Sequence, residues 1–288
     1  MASENHVENP FEYVLERGVG NIAAASKVLI PHPERHAGQA TPVVRKITMA
    51  DVQDALRLGA QDLGALRDDI LFIGIIYPVA GLVLAALAAN TDLLPMVFPL
   101  ASGFAILGPV AAVGLYEMSR RREQGEQVTW ADGFGVLGSP ALGSIIALGA
   151  ALLALFGMWL ASAYELNLAL MGPKAPPTIL AFSQNLFWTQ AGGILIVTGF
   201  VVGFLFAMLA FAVSVVSFPL LIDRDVGVGV AVRTSVEACF KNPGVMFMWG
   251  MIVAGLLALG SLPALVGLIV VVPLLGHASW HLYRRIVI

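Results

Sequence analysis

The positive charges of this chain are nearly missing from one side of a series of long apolar runs. From Ile70 to Ile288 the sequence is mostly apolar and divides into six stretches long enough to cross a bilayer. Of the 16 Lys and Arg residues, seven precede Ile70, three lie between 117 and 140, three between 223 and 243, and two after 283. Lys174 alone falls in a connection that faces outward if the N-terminus is cytoplasmic. This alternation is the pattern of the positive-inside rule. It predicts a polytopic membrane protein with both termini inside.

Composition agrees. Hydrophobic residues make up 58% and charged residues 12% of the chain, whereas soluble domains carry about 25% charged residues. A soluble fold could not cover that much apolar surface. The net charge of −3 argues against a nucleic-acid partner. Cys239 is the single cysteine, so no intramolecular disulfide can form, and it falls in an expected cytoplasmic segment. Residues 1–69 lack a short apolar core beside a cleavage site, so insertion is expected to start from the first span.

The chain is therefore all-α, a polytopic six-helix transmembrane bundle. Residues 1–46 read as a flexible cytoplasmic tail with a short helix around 11–17, and 47–69 as an amphipathic cytoplasmic helix. Residues 70–288 form the membrane domain, with spans at about 70–90, 94–116, 141–163, 191–222, 244–260 and 263–283. The fourth is longer than a crossing needs. The apolar run 244–283 is too long for one crossing, and Gly260-Ser261-Leu262-Pro263 is its natural break.

A threefold repeat is expected beneath this order. Thr48-Met49-Ala50-Asp51 and Thr129-Trp130-Ala131-Asp132 share the pattern T-x-A-D, and Asp225–Val230 opens a looser third segment. Each leads into two spans, the second of which carries a proline: Pro109, Pro219 and Pro273. Four residues on stand Val113, Asp223 and His277; eight on stand Glu117, Gly227 and His281. Three such units imply a pseudo-threefold axis along the membrane normal.

In the first amphipathic segment Thr48 caps the helix with Asp51 at N3. Val52, Leu56, Gly59 and Leu63 then share one face, with Asp54, Arg57, Asp62 and Arg67 expected largely elsewhere. In the third, Val232, Val236 and Phe240 mark the apolar face. The second, 130–137, is short and Gly-rich. Stripes of small residues, Gly81/Ala85/Ala89, Gly143/Ala147/Ala151, Gly199/Gly203/Ala207 and Gly250/Ala254/Ala258, are expected where helices approach closely. The outer loop, 164–190, carries Ile179, Phe182, Leu186, Phe187 and Trp188, enough for an interfacial helix on the outer surface or, as the alternative, a partner-docking surface.

The spans carry no acid or base near their centres, which weighs against an ion-coupled carrier. Polar residues cluster instead at the cytoplasmic ends of the even spans. Glu117 and Arg120 end the second, Asp223 ends the fourth, and His277, His281 and Arg284 share a face of the sixth. A helix-end ion-pair network accounts for them, and a small-anion or lipid-headgroup site is the functional alternative. No third ligand motif joins the two histidines, so neither metal nor other cofactor is expected. There is no nucleophile elbow, P-loop, dinucleotide fingerprint or H-E-x-x-H, so no catalytic residue is assigned and no enzyme is expected.

GPVAAVGLYEMSRRREQG (108–125) and PLLGHASWHLYRR (273–285), with six spans and a polar N-terminal segment, resemble an uncharacterised family of bacterial integral membrane proteins. It is a domain-of-unknown-function family found mainly in alphaproteobacteria, and the resemblance covers roughly residue 43 to the end. The chain is more distantly similar to the membrane domains of bacterial glycerophosphodiester phosphodiesterases, but that activity does not carry over without their catalytic domain. The resemblance implies the bacterial inner membrane and a helical bundle. Two functions follow as expectations. One is a scaffold or accessory subunit whose partners are the bilayer and a membrane-protein complex. The other is a transporter or lipid-binding protein that takes an anionic lipid or small anion at Glu117, Arg120, Asp223, His277, His281 and Arg284.

Overall fold

The structure, a computed structural model, describes residues 42–65, 86, 93–174, 176–263 and 265–288. The tail up to residue 41, all but one residue of the expected first span and the Gly81/Ala85/Ala89 stripe lie outside them. Among the described residues there is no strand, only one antiparallel bridge between Val44 and Val287. The helices are α1 (Met49–Ala65), α2 (Val97–Ala111), α3 (Val113–Glu123), α4 (Leu142–Met171), α5 (Ile179–Trp188) and α6 (Gln190–Ser214). They continue with α7 (Ser217–Asp223), α8 (Val228–Lys241), α9 (Pro243–Ser261) and α10 (Leu268–Ile286). Trp130–Gly138 is a 3₁₀ segment.

Three of these runs are long and apolar enough to cross a membrane: Leu142–Met171, Gln190–Asp223 and Pro243–Ser261. A fourth is Leu94–Ala111 if its two halves, bent by 41° near Gly103, count as one crossing. Only 6% of the most apolar window in Gln190–Asp223 is buried within the chain. Val197, Phe200, Phe204 and Leu205 are at least half exposed there. In water such a surface would aggregate; in lipid it costs nothing.

The boundaries differ from the sequence reading in three places. α4 runs on to Met171, through residues expected in the outer loop. The long fourth run is two helices, α6 and α7, joined at Val215-Val216, which explains its excess length. The last helix starts at Leu268, after a turn in which Gly267 and Gly260 meet so closely that a Cβ on Gly267 would stand 2.7 Å from the Gly260 oxygen. Leu265 in that turn has a left-handed φ of 68°. α10 is not one of the long apolar helices, because its second half carries His277, His281, Arg284 and Arg285 and is largely buried.

The packing faces also differ. α4 buries Leu148, Leu152, Leu155 and Trp159, not the Gly143/Ala147/Ala151 stripe. Trp159 is its anchor: the indole donates to the Pro99 carbonyl at 2.9 Å, and its ring approaches Gly203 of α6. Ala254 and Ala258 on α9 are exposed. α8 buries Ala231, Thr234, Ser235 and Ala238 against α6 and α7, while Phe240 is 82% exposed. Small residues make the closest contact on α8, Val228 and Val232 pack partly against the core, and Val230 and Phe240 are exposed.

α1 packs along α10, the 3₁₀ segment along α3, and α8 along α7. The three receiving helices α3, α7 and α10 also touch one another, which gathers their polar ends. The chain before α1 belongs to this end too. Arg45 N donates to Ile286 O at 2.9 Å and Ile288 N to Val43 O at 3.1 Å. Asn242 accepts from Ile47 N and donates to Arg45 O. The stretch 42–46, read from sequence as part of the flexible tail, is thus bonded into the fold.

Candidate polar centre

The first group of polar side chains forms where α1 meets α10. Val52, Ala55, Gly59 and Asp62 recur at helical spacing and are the buried residues of α1. Gly59 lies against Ala278, where a Cβ would come within 2.6 Å of the backbone nitrogen. That close approach carries Asp62, one turn on, into the interface, although the sequence reading set it apart from the packed face. Asp62 Oδ2 accepts from the Ser119 hydroxyl at 2.7 Å and lies 2.8 Å from His281 Nε2. Ser119 Oγ is also 2.8 Å from His277 Nδ1. A hydroxyl has one proton, so Ser119, donating to Asp62, accepts from Nδ1–H of His277. Arg122 Nε adds an ion pair to Asp62 Oδ1 at 3.3 Å. Burial pushes the Asp62 carboxyl up, but the hydrogen bonds from His281 and Ser119 outweigh it and hold it below its ordinary value.

The second group centres on Glu117 of α3. Arg120 grips it through Nε and Nη2, at 2.7 and 2.8 Å, and Arg121 Nε reaches Oε1 at 2.7 Å. Two-point pairing of this kind is strong and directional. Glu117 is 5% exposed; burial raises its carboxyl, and the two arginines bring it below its usual value. Arg121 then reaches Asp132 of the 3₁₀ segment at 2.9 Å. Asp132 also caps that segment, accepting from Thr129 N and Oγ1.

In the third group Asp223 accepts from Tyr283 Oη at 2.6 Å and from Arg284 Nη1 and Arg224 Nε at 3.4 Å each. Arg284 also pairs with Glu123 at 3.1 Å, and Glu123 accepts from Trp280 Nε1 at 3.0 Å. A cleft of about 320 Å³ lies between the second and third groups, with Glu117, Arg120, Arg121, Asp223 and Arg224 in its walls.

All six residues singled out from sequence therefore sit at one end of the bundle, divided among three neighbouring groups. Glu117, Arg120 and Asp223 border the cleft; His281 meets Asp62 of α1 and His277 meets Ser119 of α3; Arg284 links Glu123 to Asp223. Sequence reasoning left Asp62 and Ser119 out of the site. For Asp62 the signal was present, since it extends the 52-55-59 series; Ser119 offers none beyond its place beside Glu117. Chemically the arrangement fastens helices. Ser119 is fully buried, its hydroxyl held between Asp62 and His277. Among the described residues no three His, Cys, Asp or Glu side chains converge as metal ligands.

Residues 97–223 match the model of a family described as "Predicted integral membrane protein (DUF2189)", and the chain is similar to that family over this stretch. It takes in Glu117, Arg120 and Asp223 and stops short of His277, His281 and Arg284. No curated protein and no solved structure matches the chain.

Proposed function

We propose that the protein is a non-enzymatic scaffold or accessory subunit of an assembly in the bacterial inner membrane, with six spans in three repeated units and both termini cytoplasmic. The observation that carries this reading is how its ionisable groups are used. Asp62, Glu117, Glu123 and Asp223 each accept from at least two donors, and most of these bonds join different helices. Groups committed to one another hold a shape and do not turn over a substrate. The long exposed faces of α4, α6 and α9 suit lateral contact within the bilayer, and α5, with Phe187 and Trp188 exposed, suits the outer interface. The cyclic pairing of α1 with α10, the 3₁₀ segment with α3 and α8 with α7 supports three units, each held by the one before. The collection of arginines at one end supports the inward orientation of that end.

The test is purification of the tagged protein in mild detergent after crosslinking in intact cells, with mass spectrometry of what comes with it. A membrane protein recovered in fixed stoichiometry is the expected result. Recovery of the protein alone after efficient crosslinking would end this reading.

A further inference from the structure

The charged side chains that line the cleft itself differ in balance between its walls, with Asp132 behind Arg121 and Arg284 behind Asp223. On the α3 side Arg120 and Arg121 stand against one acid, Glu117; where α7 runs out, Asp223 and Asp225 stand against one base, Arg224. A simple anion entering it would meet three carboxylates, and a simple cation three guanidinium groups. A molecule with both charges a few bonds apart can meet each with its opposite. The third wall is backbone. Gly135 and Gly138 of the 3₁₀ segment face the cleft, and a Cβ on Gly138 would find no atom within 4 Å. The same segment leaves Trp130, Phe134 and Leu137 exposed, a composition that suits the level of lipid headgroups. A cleft of about 320 Å³ is small for a ligand pocket but wide enough for one headgroup.

We propose that this cleft binds a phosphoethanolamine group, its phosphate against Arg120 and Arg121 and its ammonium against Asp223 and Asp225. The group comes either from phosphatidylethanolamine in the surrounding leaflet or from free phosphoethanolamine; the recognition chemistry is the same. Choline lipids carry the same charges but offer the aspartates no N–H, and phosphatidylglycerol lacks the cation altogether. The order of preference is therefore ethanolamine, then choline, then glycerol. The site lies within one chain and stands whether or not the protein has a protein partner.

The experiment is native mass spectrometry of the full chain in mild detergent with equimolar phosphatidylethanolamine, phosphatidylcholine and phosphatidylglycerol. Thermal unfolding with free phosphoethanolamine alone accompanies it. Phosphatidylethanolamine should be retained at least tenfold over phosphatidylglycerol. Gly138→Val, which adds bulk to the backbone wall and leaves the ion pairs alone, should weaken that preference without lowering the unfolding midpoint. Asp225→Asn should reduce it several-fold, and carries the comparison if the valine variant does not fold. Stabilisation by free phosphoethanolamine comparable to that by the lipid would support the site and identify a soluble source. Equal or greater retention of phosphatidylglycerol, or an unchanged preference in either variant, would overturn the proposal.

Discussion

Arg285 places Nη1 3.4 Å from Asp51 Oδ1, so the last helix holds the cap of the first described one. Arg121 makes the corresponding contact with Asp132, at 2.9 Å. Each arginine follows its helix proline at the same remove, 109 to 121 and 273 to 285. Each aspartate closes a T-x-A-D cap with the same two bonds, 2.8 Å from the threonine nitrogen and 2.9 Å from its hydroxyl. Two of the three proposed junctions, first to second and third to first, are thus clasped by one repeated device.

Asp51→Ala removes both the cap and the clasp, and should cost about 1 kcal/mol, the usual worth of an N-cap. Arg285→Ala should cost less, since the exposed pair is worth roughly 0.2–1 kcal/mol. A double-mutant cycle read by thermal unfolding in detergent checks both values. A midpoint unmoved by Asp51→Ala would mean that the cap does not hold α1 in place.

Acid should loosen the polar centre. Asp62 and Glu117 have folded values below their ordinary ones, so their contribution is complete above about pH 4, where the unfolded groups titrate. It is lost as pH falls through the lower folded values. Unfolding followed between pH 7 and pH 3 should show the midpoint dropping below pH 4, and less steeply in Asp62→Asn. At neutral pH Asp62→Ala strands the Ser119 and His281 donors and should cost about 1–3 kcal/mol. Equal acid sensitivity of wild type and Asp62→Asn would count against this assignment.

The two glycines of α1 should respond in opposite directions. Gly59→Ala forces a methyl into the Ala278 backbone and should destabilise by about 1–3 kcal/mol. Gly64→Ala meets nothing within 4 Å and should stabilise by roughly 0.5–1 kcal/mol through helix propensity. Thermal midpoints of the two variants decide it, and a neutral Gly59→Ala would mean that α1 and α10 do not approach so closely.

Val197 faces outward from α6 and is 64% exposed. If that exposure is to lipid, Val197→Asp should oppose insertion by about 2.5–3.5 kcal/mol and deplete the membrane fraction. Undiminished membrane yield would place this face against water or protein.

Burial pushes the Cys239 thiol up to about 11, so alkylation should be slow at pH 7 and quicken steadily toward pH 10. An impermeant maleimide should reach it in inverted vesicles and not in intact spheroplasts. The opposite sidedness would reverse the proposed orientation.

Much of the architecture was legible because bilayers impose it through composition and length. The caps at Thr48 and Thr129 were readable for the same kind of reason, since a local motif makes a local bond. What could not be read was which neighbour each face would meet. Asp62 was assigned outward because charge usually is, but Gly59 draws α1 so near α10 that the carboxylate finds buried donors. Val232, Val236 and Phe240 were read as one apolar face, but they part company: Val232 packs against the core and Phe240 is exposed, while Ala231, Thr234, Ser235 and Ala238 are the buried residues of α8. His277, His281 and Arg284 share a face, yet that face is wedged between α1 and the α3–α7 side and is divided between them. Spacing gives a face its direction without naming its partner.

The strand-like bonds of Val43 and Arg45 with Ile286 and Ile288 set an order of assembly. α1 leaves the ribosome first among the described helices, and its partner α10, with the residues that pin its leading stretch, is the last of them to emerge. Until α10 has emerged, the face bearing Val52, Ala55 and Asp62 must wait on the membrane surface or with another protein. Assembly of the described fold therefore includes a late docking step, and loss of residues 286–288 would strike at the stretch that leads into α1.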